Sequence, residues 1–177
     1  MNIRPATLDD AGAIATVHVD AWRRAYAGVL PQATLDGLSV DARSRMWSQA
    51  IAGTRGRVLV AEQEGQLLGF AAFGHCRDEG SAPTDHELWA IYVAPSRWRA
   101  GAGRALWDGA RRAMVEGGAA TISVWVLAEN APARGFYASL GFRLAAEAGE
   151  RAISVAGLAV QEIRFVLRIA PGASSAH

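Results

Sequence analysis

The chain has 177 residues, of which 51% are hydrophobic and 20% are charged, and its formal net charge is +1. This length predicts one domain with a full hydrophobic core, and the near-zero net charge excludes a general binder of nucleic acid or membrane surfaces, which would carry a basic excess. Cys76 is the only cysteine, and no apolar stretch is as long as a membrane span. We therefore expect a cytoplasmic protein without an intrachain disulfide.

The first half of the chain predicts a strand and two helices, followed by a hairpin. In chain order the predicted elements are a strand over 2–5, helices over 8–26 and 40–52, and strands over 57–63 and 67–76. Thr7 and Ser39 are favourable N-cap residues for the two helices. Glu64 and Gly65 separate the two apolar strands, and such a pair is typical of a tight hairpin turn.

The second half of the chain alternates strands and helices and then closes with an antiparallel pair. In chain order it predicts a strand over 86–93, a helix over 103–115, a strand over 121–127, a helix over 130–140, and strands over 142–148 and 158–169. Glycines at 117, 118 and 141 end the two helices. This order predicts a mixed sheet covered by helices in a single domain over 1–169, with a disordered tail over 170–177.

A turn rich in glycine and arginine, APSRWRAGAG, joins the strand that ends at Val93 to the next helix. A helix N-terminus presents unpaired N–H groups and a partial positive charge, so it suits an anion. Gly101 and Gly103 lack Cβ and let the backbone approach phosphate oxygens closely, while Arg99 and Arg104 offer charge-assisted contacts. A tight strand-to-helix turn without a ligand remains the alternative, since neither GxxxxGK[ST] nor GxGxxG is present.

The same stretch resembles the acetyl-CoA-binding segment of the GNAT family of N-acetyltransferases, which reads V-x-P-x-x-[QR]-G-x-G-x-G-x-x-L. The matching positions are Val93, Pro95, Gly101, Gly103 and Leu106. Trp98 stands where the family usually has Gln or Arg, and Arg99 stands where it often has Gly. Downstream, NAPARGFYASLGF resembles the family's N-x-x-A-x-x-F-Y-x-x-x-G-F block, with matches at Asn130, Ala133, Phe136, Tyr137, Gly141 and Phe142.

The resemblance implies a mixed α/β fold of the GNAT type, with a mostly antiparallel sheet of about seven strands flanked by about four helices. It implies acetyl-CoA as co-substrate, with the pantetheine arm bonded to the backbone of one strand end and the diphosphate held by the turn. The implied cofactor residues are Ile91, Tyr92, Val93, Arg99, Ala100, Gly101, Ala102, Gly103, Arg104, Asn130, Phe136 and Tyr137. For Asn130 a simple helix N-cap is the alternative.

The resemblance also implies the catalytic groups. A neutral amine attacks the thioester carbonyl, the nitrogen loses a proton, and coenzyme A leaves as a thiolate. Tyr137 stands at the family's proton-donor position, where a phenol can protonate the leaving thiolate, and a core tyrosine is the alternative. Glu87 resembles the general base of the histone-acetylating branch, and a carboxylate that binds substrate or is only solvated is the alternative.

Acceptor recognition is expected from the first long helix, which overhangs the thioester in this family. Trp22 and Tyr26 share a helical face, and their rings suit an amine pocket in which a cation lies against an aromatic face. Glu87 is a third candidate for contact with the acceptor. Core packing is the alternative for Trp22.

The sequence thus predicts an N-acetyltransferase that transfers an acetyl group to a primary amine of a small molecule, polyamine-like or amino-acid-like. A catalytically silent acetyl-CoA-binding module, an acetyltransferase of a protein or peptide amine, and a nucleotide-binding α/β domain are the alternatives. Neither nucleic acid nor a membrane is expected as a partner, and a homodimer is left open. No metal is expected, because four histidines and one cysteine show no ligand spacing.

Overall fold

The computed structural model describes residues 1–145, 149–155 and 157–170. The α-helices of this part of the chain are α1 Ala11–Ala25, α2 Gln32–Asp36, α3 Val40–Ala52, α4 Ala102–Glu116 and α5 Ala131–Ser139. Its strands are β1 Asn2–Pro5, β2 Gly56–Gln63, β3 Gln66–His75, β4 Asp85–Val93, β5 Thr121–Leu127, β6 Arg143–Leu144, β7 Glu150–Val155 and β8 Leu158–Arg168. None of these helices is both long and apolar enough to cross a membrane.

The chain divides into two compact units. The first contains residues 1–74 and 88–114, and the second contains residues 75–87 and the described residues from 115 onward. Strand β4 contributes to both, because the division falls between Glu87 and Leu88.

The first unit is an antiparallel meander with helices packed on it. Its strand order is β1-β2-β3-β4, and β1 and β3 both pair antiparallel to β2. The β2–β3 turn is the predicted one, since Glu64 and Gly65 both have positive φ (54° and 75°), as a type I′ turn requires. The core lies where α1 and α3 meet β2 and β3, and its largest buried side chains include Ile14, Trp47 and Phe70.

Local signals in the sequence explain the helix starts of this unit. The Ser39 hydroxyl accepts the N–H of Ala42 at 3.2 Å, which is the expected N-cap of α3. Ahead of α1, the Asp10 carboxylate accepts the N–H of Thr7 at 2.7 Å, and the first turn of the predicted helix, Leu8–Asp10, is a 3₁₀ turn.

Helix α4 lies close to the sheet because its Gly109 has no Cβ. A Cβ built at this position would lie 3.2 Å from a side-chain carbon of Ile3.

The second unit is built around β8. Its strand order is β4-β5-β8-β6, with β7 also paired to β8. Asp85–Glu87 of β4 pair parallel to Thr121–Ser123 of β5, and the other pairings of this unit are antiparallel. Gly141, with a φ of 91°, ends α5 as predicted.

The mixed α/β architecture with a mostly antiparallel sheet is confirmed, with five α-helices and eight strands in the described residues. Two elements were missed. Helix α2 is only five residues long and is set by the burial of Leu35, so its sequence carries almost no helical period. Strand β7 was not predicted, and the expected strand over 142–148 is limited to Arg143–Leu144, with residues 146–148 outside the described residues. The predicted tail over 170–177 lies outside them from residue 171 on.

Candidate active site

The turn between β4 and α4 has the backbone of an anion cradle. A 3₁₀ turn over Pro95–Arg97 leads into Arg99 and Gly101, both of which have positive φ (63° and 85°). The first i→i−4 bond of α4 runs from Ala105 N–H to the Gly101 carbonyl at 3.0 Å. The amides of the residues just before Ala105 therefore lie in the first helical turn, where N–H groups have no intrahelical acceptor. Gly103 belongs to this turn.

The left-handed conformation explains why the family often places glycine at position 99. A non-glycine residue in this region costs about 1–2 kcal/mol, because its Cβ approaches the following carbonyl oxygen. This chain keeps an arginine there. Within the described residues, the Arg99 side chain forms neither a hydrogen bond nor an ion pair, whereas Arg104 Nε lies 3.1 Å from the exposed carboxylate of Asp108.

Trp98 forms a contact that its sequence position did not reveal. Its ring is 43% exposed, and its Nε1–H donates to the backbone carbonyl of Val93 at 2.8 Å. Val93 is the strand end whose backbone is expected to bond the pantetheine arm. Tryptophan stands here where the family usually has Gln or Arg. Its indole N–H thus bonds a backbone oxygen that the cofactor is expected to use.

Gly69 on β3 permits a close backbone approach to the same end of β4. A Cβ built at Gly69 would lie 2.5 Å from the Tyr92 carbonyl oxygen and 3.1 Å from Val93 Cα. The strands are joined there by the bond from Ala94 N–H to the Leu68 carbonyl at 2.8 Å. A side chain at position 69 would displace the backbone at Tyr92 and Val93.

Two of the three predicted acceptor residues, Trp22 and Tyr26, belong to an aromatic cluster in the first unit, whereas Glu87 lies in the second unit. Its members are His18, Trp22, Tyr26, Trp47, Phe70 and Tyr92. The rings of Trp22 and Tyr26 meet edge to face with centroids 5.0 Å apart, as their helical spacing predicted. Tyr26 is only 5% exposed, so its ring packs as part of the core.

His18 is a member of this cluster that the sequence analysis overlooked. Its ring stacks on Tyr92 with centroids 5.0 Å apart, and its Nδ1 accepts the indole N–H of Trp47 at 3.1 Å. Burial, and then the positive charge of Arg43, lower the pKa of His18 to about 3. The imidazole is therefore neutral near pH 7. A helical spacing of four from Trp22 was the available signal.

Glu87 lies in the second unit and is almost fully buried, with 1% of its surface exposed. Its Oε2 accepts the backbone N–H of Arg77 at 3.0 Å and the Nε–H of the same residue at 3.1 Å, and its Oε1 accepts from Arg77 Nη2. A carboxylate has about four lone-pair positions, so these three donors leave about one for another partner. The ion pair with Arg77 was not foreseen.

Tyr137 and Asn130 lie on α5 and at its start. Tyr137 is 6% exposed and packs edge to face against Phe136 and Phe142, with centroids 5.5 and 5.7 Å away. The Oδ1 of Asn130 accepts the N–H of Ala133 at 3.1 Å, so Asn130 caps helix α5. Contact of the same residue with the cofactor stays a prediction. Tyr137 is thus a packed aromatic residue that also carries a hydroxyl.

A charged cluster in the second unit surrounds Trp125. The guanidinium carbon of Arg151 lies 4.0 Å from the Trp125 ring centroid, and the indole N–H donates to both oxygens of Asp78 at 3.2 Å. Arg151 is also bonded to Glu162 at 2.8 Å, and Arg164 lies 3.5 Å from Asp78. We refer to Asp78, Trp125, Arg151, Glu162 and Arg164 as the charged cluster.

Three other side chains of the second unit, those of Cys76, His75 and His86, could also take part in chemistry. Cys76 is unpaired, and its Sγ lies 3.6 Å from Asp78 Oδ2. His75 and His86 are neighbours with ring centroids 4.7 Å apart, and burial lowers the pKa of His86. No group of three or more His, Cys, Asp or Glu residues capable of holding a metal occurs in the described ranges.

Comparisons with a family model and with known protein sequences both indicate an N-acetyltransferase. The model of the acetyltransferase (GNAT) family matches residues 18–142. The uncharacterized N-acetyltransferase YuaI of Bacillus subtilis is 32% identical over 163 residues, covering 92% of this chain and 90% of that protein.

Two solved structures extend the likeness to the fold. A ribosomal-protein-alanine N-acetyltransferase from Brucella melitensis is 25% identical with a TM-score of 0.73, covering 96% of this chain and 100% of that one. The protein yncA of Salmonella typhimurium, named a putative acetyltransferase and solved with acetyl-CoA, is 22% identical with a TM-score of 0.70, covering 98% of this chain and 96% of that one.

Proposed function

The chain belongs to the GNAT family and is an acetyl-CoA-dependent N-acetyltransferase, and we propose that it acetylates the primary amine of a small molecule by direct attack in a ternary complex. The observation that carries the cofactor part of the proposal is the turn before α4. Its left-handed Arg99 and Gly101 lead into open helix amides, and the Arg99 guanidinium beside them has no partner among the residues that the structure describes.

We assign the diphosphate of the cofactor to this turn, with Arg99, Gly101, Gly103 and their neighbours as ligands. Backbone N–H groups and the helix dipole favour the negative charge, and Arg99 adds a charge-assisted bond. The backbone of Ile91–Val93 is assigned to the pantetheine arm, and Trp98 must then release the Val93 carbonyl if that oxygen takes part. Asn130 and Phe136 are assigned to the arm as well.

The chemistry needs one group to remove a proton and one to supply a proton. The amine nitrogen bonds to the thioester carbon, the C–S bond breaks, the proton from nitrogen goes to a base, and the leaving thiolate is protonated. We assign the donor role to the Tyr137 hydroxyl. Glu87 is assigned as base, acting directly or through a water on its remaining lone pair, with Arg77 fixing the position of its carboxylate.

The acceptor is assigned to the aromatic cluster around Trp22 and Tyr26. Contact with a few aromatic side chains suits a small molecule, and a net charge of +1 gives no field for a long acidic polymer. The unpaired thiol of Cys76 fits a reducing compartment, and we place the enzyme in the cytoplasm. The likeness to a ribosomal-protein-alanine N-acetyltransferase makes the N-terminal amine of a protein the second candidate.

The test is release of coenzyme A, followed with a thiol reagent across a panel of amines that includes amino acids, polyamines and N-terminal peptides. The single cysteine keeps the protein background to one thiol per chain. We expect turnover with at least one small amine. Turnover with peptides alone would favour the second candidate.

A pair of glycine variants tests acetyl-CoA binding at the turn independently of turnover. Acetyl-CoA at about 100 times its dissociation constant should stabilise the fold by about 2.7 kcal/mol, seen as a rise in Tm. Gly103→Glu should abolish this rise, since its side chain and charge occupy the phosphate position, while Gly12→Glu on exposed helix surface should keep it. An undiminished rise in Gly103→Glu would refute the assignment of the turn.

A further inference from the structure

The indole N–H of Trp22 is buried and has no hydrogen-bond partner within the described residues. The acceptor nitrogen of the His18 ring, Nδ1, already accepts the N–H of Trp47 at 3.1 Å. A buried donor left unsatisfied costs about 1–3 kcal/mol, and native proteins keep few of them. A water or a ligand would supply the acceptor that the described residues do not.

A positive charge without a carboxylate lies beside this donor. The guanidinium carbon of Arg43, on α3, is 5.8 Å from the Trp22 ring centroid. Arg43 is half-buried, its side chain contacts the sulfur of Met46 at 3.7 Å, and no carboxylate of the described residues pairs with it. His18 is neutral and offers no compensating charge.

These two groups select the charge of a ligand. Arg43 takes up space at the Trp22 ring that a cationic ligand would need, and it repels such a ligand. A polyamine-like acceptor is therefore disfavoured at this position. A carboxylate satisfies both groups at once, because one oxygen accepts the indole N–H and the negative charge pairs with the guanidinium.

We propose that the acceptor amine carries a carboxylate, as an amino acid does, and that Trp22 Nε1 and Arg43 are the specificity-determining groups that bind it. This rests on the proposed function, in which the aromatic cluster receives the acceptor. The apolar rings of the cluster suit an apolar side chain on the same molecule. The amine is then the remaining polar group, available for acetylation.

The first test observes the Trp22 N–H directly. The full-length protein, labelled with ¹⁵N at the tryptophan indoles and saturated with coenzyme A, is titrated with two halves of leucine. One is 4-methylpentanoate, which lacks the amine, and the other is isoamylamine, which lacks the carboxylate. We expect a saturable downfield shift of the Trp22 indole proton with 4-methylpentanoate and none with isoamylamine. The Trp125 indole, already bonded to Asp78, serves as internal control, and Trp22→Phe and Trp125→Phe assign the signals.

The second test compares two arginines that each lie over a tryptophan. Arg43→Met should weaken binding of 4-methylpentanoate about tenfold or more, and should remove the preference of kcat/KM for leucine over isoamylamine. Arg151→Met, which removes the matching guanidinium from Trp125, should leave both quantities within about twofold. A series built on phenylalanine, phenethylamine and 3-phenylpropanoate repeats the comparison with a larger side chain.

The proposal would be overturned if no compound shifted the Trp22 indole proton signal, or if the amines shifted it and the carboxylates did not. Undiminished binding of 4-methylpentanoate to Arg43→Met would overturn it as well. Leucinamide acting as well as leucine would also overturn it, since a neutral carbonyl would suffice and a peptide would be the better acceptor. Failure of the proposed function has a different signature. Carboxylates would shift Trp22 without any amine releasing coenzyme A.

Discussion

Two tryptophan–arginine pairs in this molecule have opposite surroundings. In the second unit, Arg151 lies 4.0 Å over Trp125, the indole N–H is bonded to Asp78, and the guanidinium is bonded to Glu162. In the first unit, Arg43 lies 5.8 Å from Trp22, the indole N–H has no partner and the guanidinium has no carboxylate within the described residues. The side chains are the same, but only one pair is completed by the fold.

This difference distinguishes polar side chains that stabilise the fold from polar side chains that await a ligand. A polar group whose partners are supplied by the chain contributes to stability, and its removal leaves those partners unsatisfied. A buried polar group without a partner costs stability unless a ligand completes it. In the charged cluster the carboxylates of Asp78 and Glu162 are bonded, although Arg164 Nε has no hydrogen bond within the described residues. This cluster is thus expected to govern mainly folding, and the aromatic cluster around Trp22 is expected to govern recognition.

The variant Tyr137→Phe is the strictest test of this distinction between stabilising and ligand-binding polar groups. Tyr137 is 6% exposed and packed between two phenylalanines, so its surroundings resemble a structural site, yet it is assigned a catalytic role. We expect steady-state kinetics to show a fall in kcat of about 10²-fold or more, with the dissociation constant for acetyl-CoA nearly unchanged. A kcat within threefold of wild type would make Tyr137 a packing residue.

The next largest effect concerns the charged cluster. Asp78→Ala removes the acceptor of the Trp125 N–H and a partner of Arg151 and Arg164, and we expect a loss of about 2–3 kcal/mol of unfolding free energy. Arg43→Met removes no such partner, so chemical denaturation should show a change within about 0.5 kcal/mol. Equal losses in the two variants would show that the two pairs do not differ as their contacts indicate.

His18 gives the first unit a specific sensitivity to acid. Its pKa is about 3 in the folded protein and about 6.5 when unfolded, so the unfolded chain binds the extra proton as pH falls below 6.5. Stability should be unaffected above that pH and fall by up to about 1.4 kcal/mol per pH unit towards pH 3. Denaturation between pH 6.5 and 4.5 should show a shallower slope of stability against pH for His18→Gln than for the wild type. An unchanged slope in His18→Gln would contradict burial of His18 in its neutral form.

The smallest expected effect concerns the strained turn. Arg99→Gly removes the cost of a left-handed non-glycine residue, so thermal unfolding should show a gain of about 1 kcal/mol. The exposed Arg99 side chain has no partner in the described part of the chain, so it is available for the proposed contact with the cofactor diphosphate. Calorimetry should show weaker acetyl-CoA binding by several-fold. Greater stability at unchanged affinity would make Arg99 a turn residue only.

The parts of the fold that could be predicted depend on neighbours a few residues apart. The Ser39 cap, the Glu64–Gly65 turn and the Gly141 helix end are each decided by bonds or φ angles within about four residues. The two motifs that resemble the GNAT family are also formed by residues close together in the sequence. The turn before α4, for example, is a backbone conformation of consecutive residues. The family, the fold class and the element order apart from α2 and β7 could therefore be predicted from the sequence.

Only the tertiary structure decided which of the candidate side chains are already paired. Arg77 meets Glu87 across ten residues, Trp47 meets His18 across 29, and Trp125 meets Asp78 across 47. Such contacts depend on strand register and helix packing, which no local pattern specifies. The sequence by itself determined the glycine-rich turn before α4. The packing of distant segments determined which buried donors the chain satisfies, and it left the Trp22 N–H without a partner among the described residues.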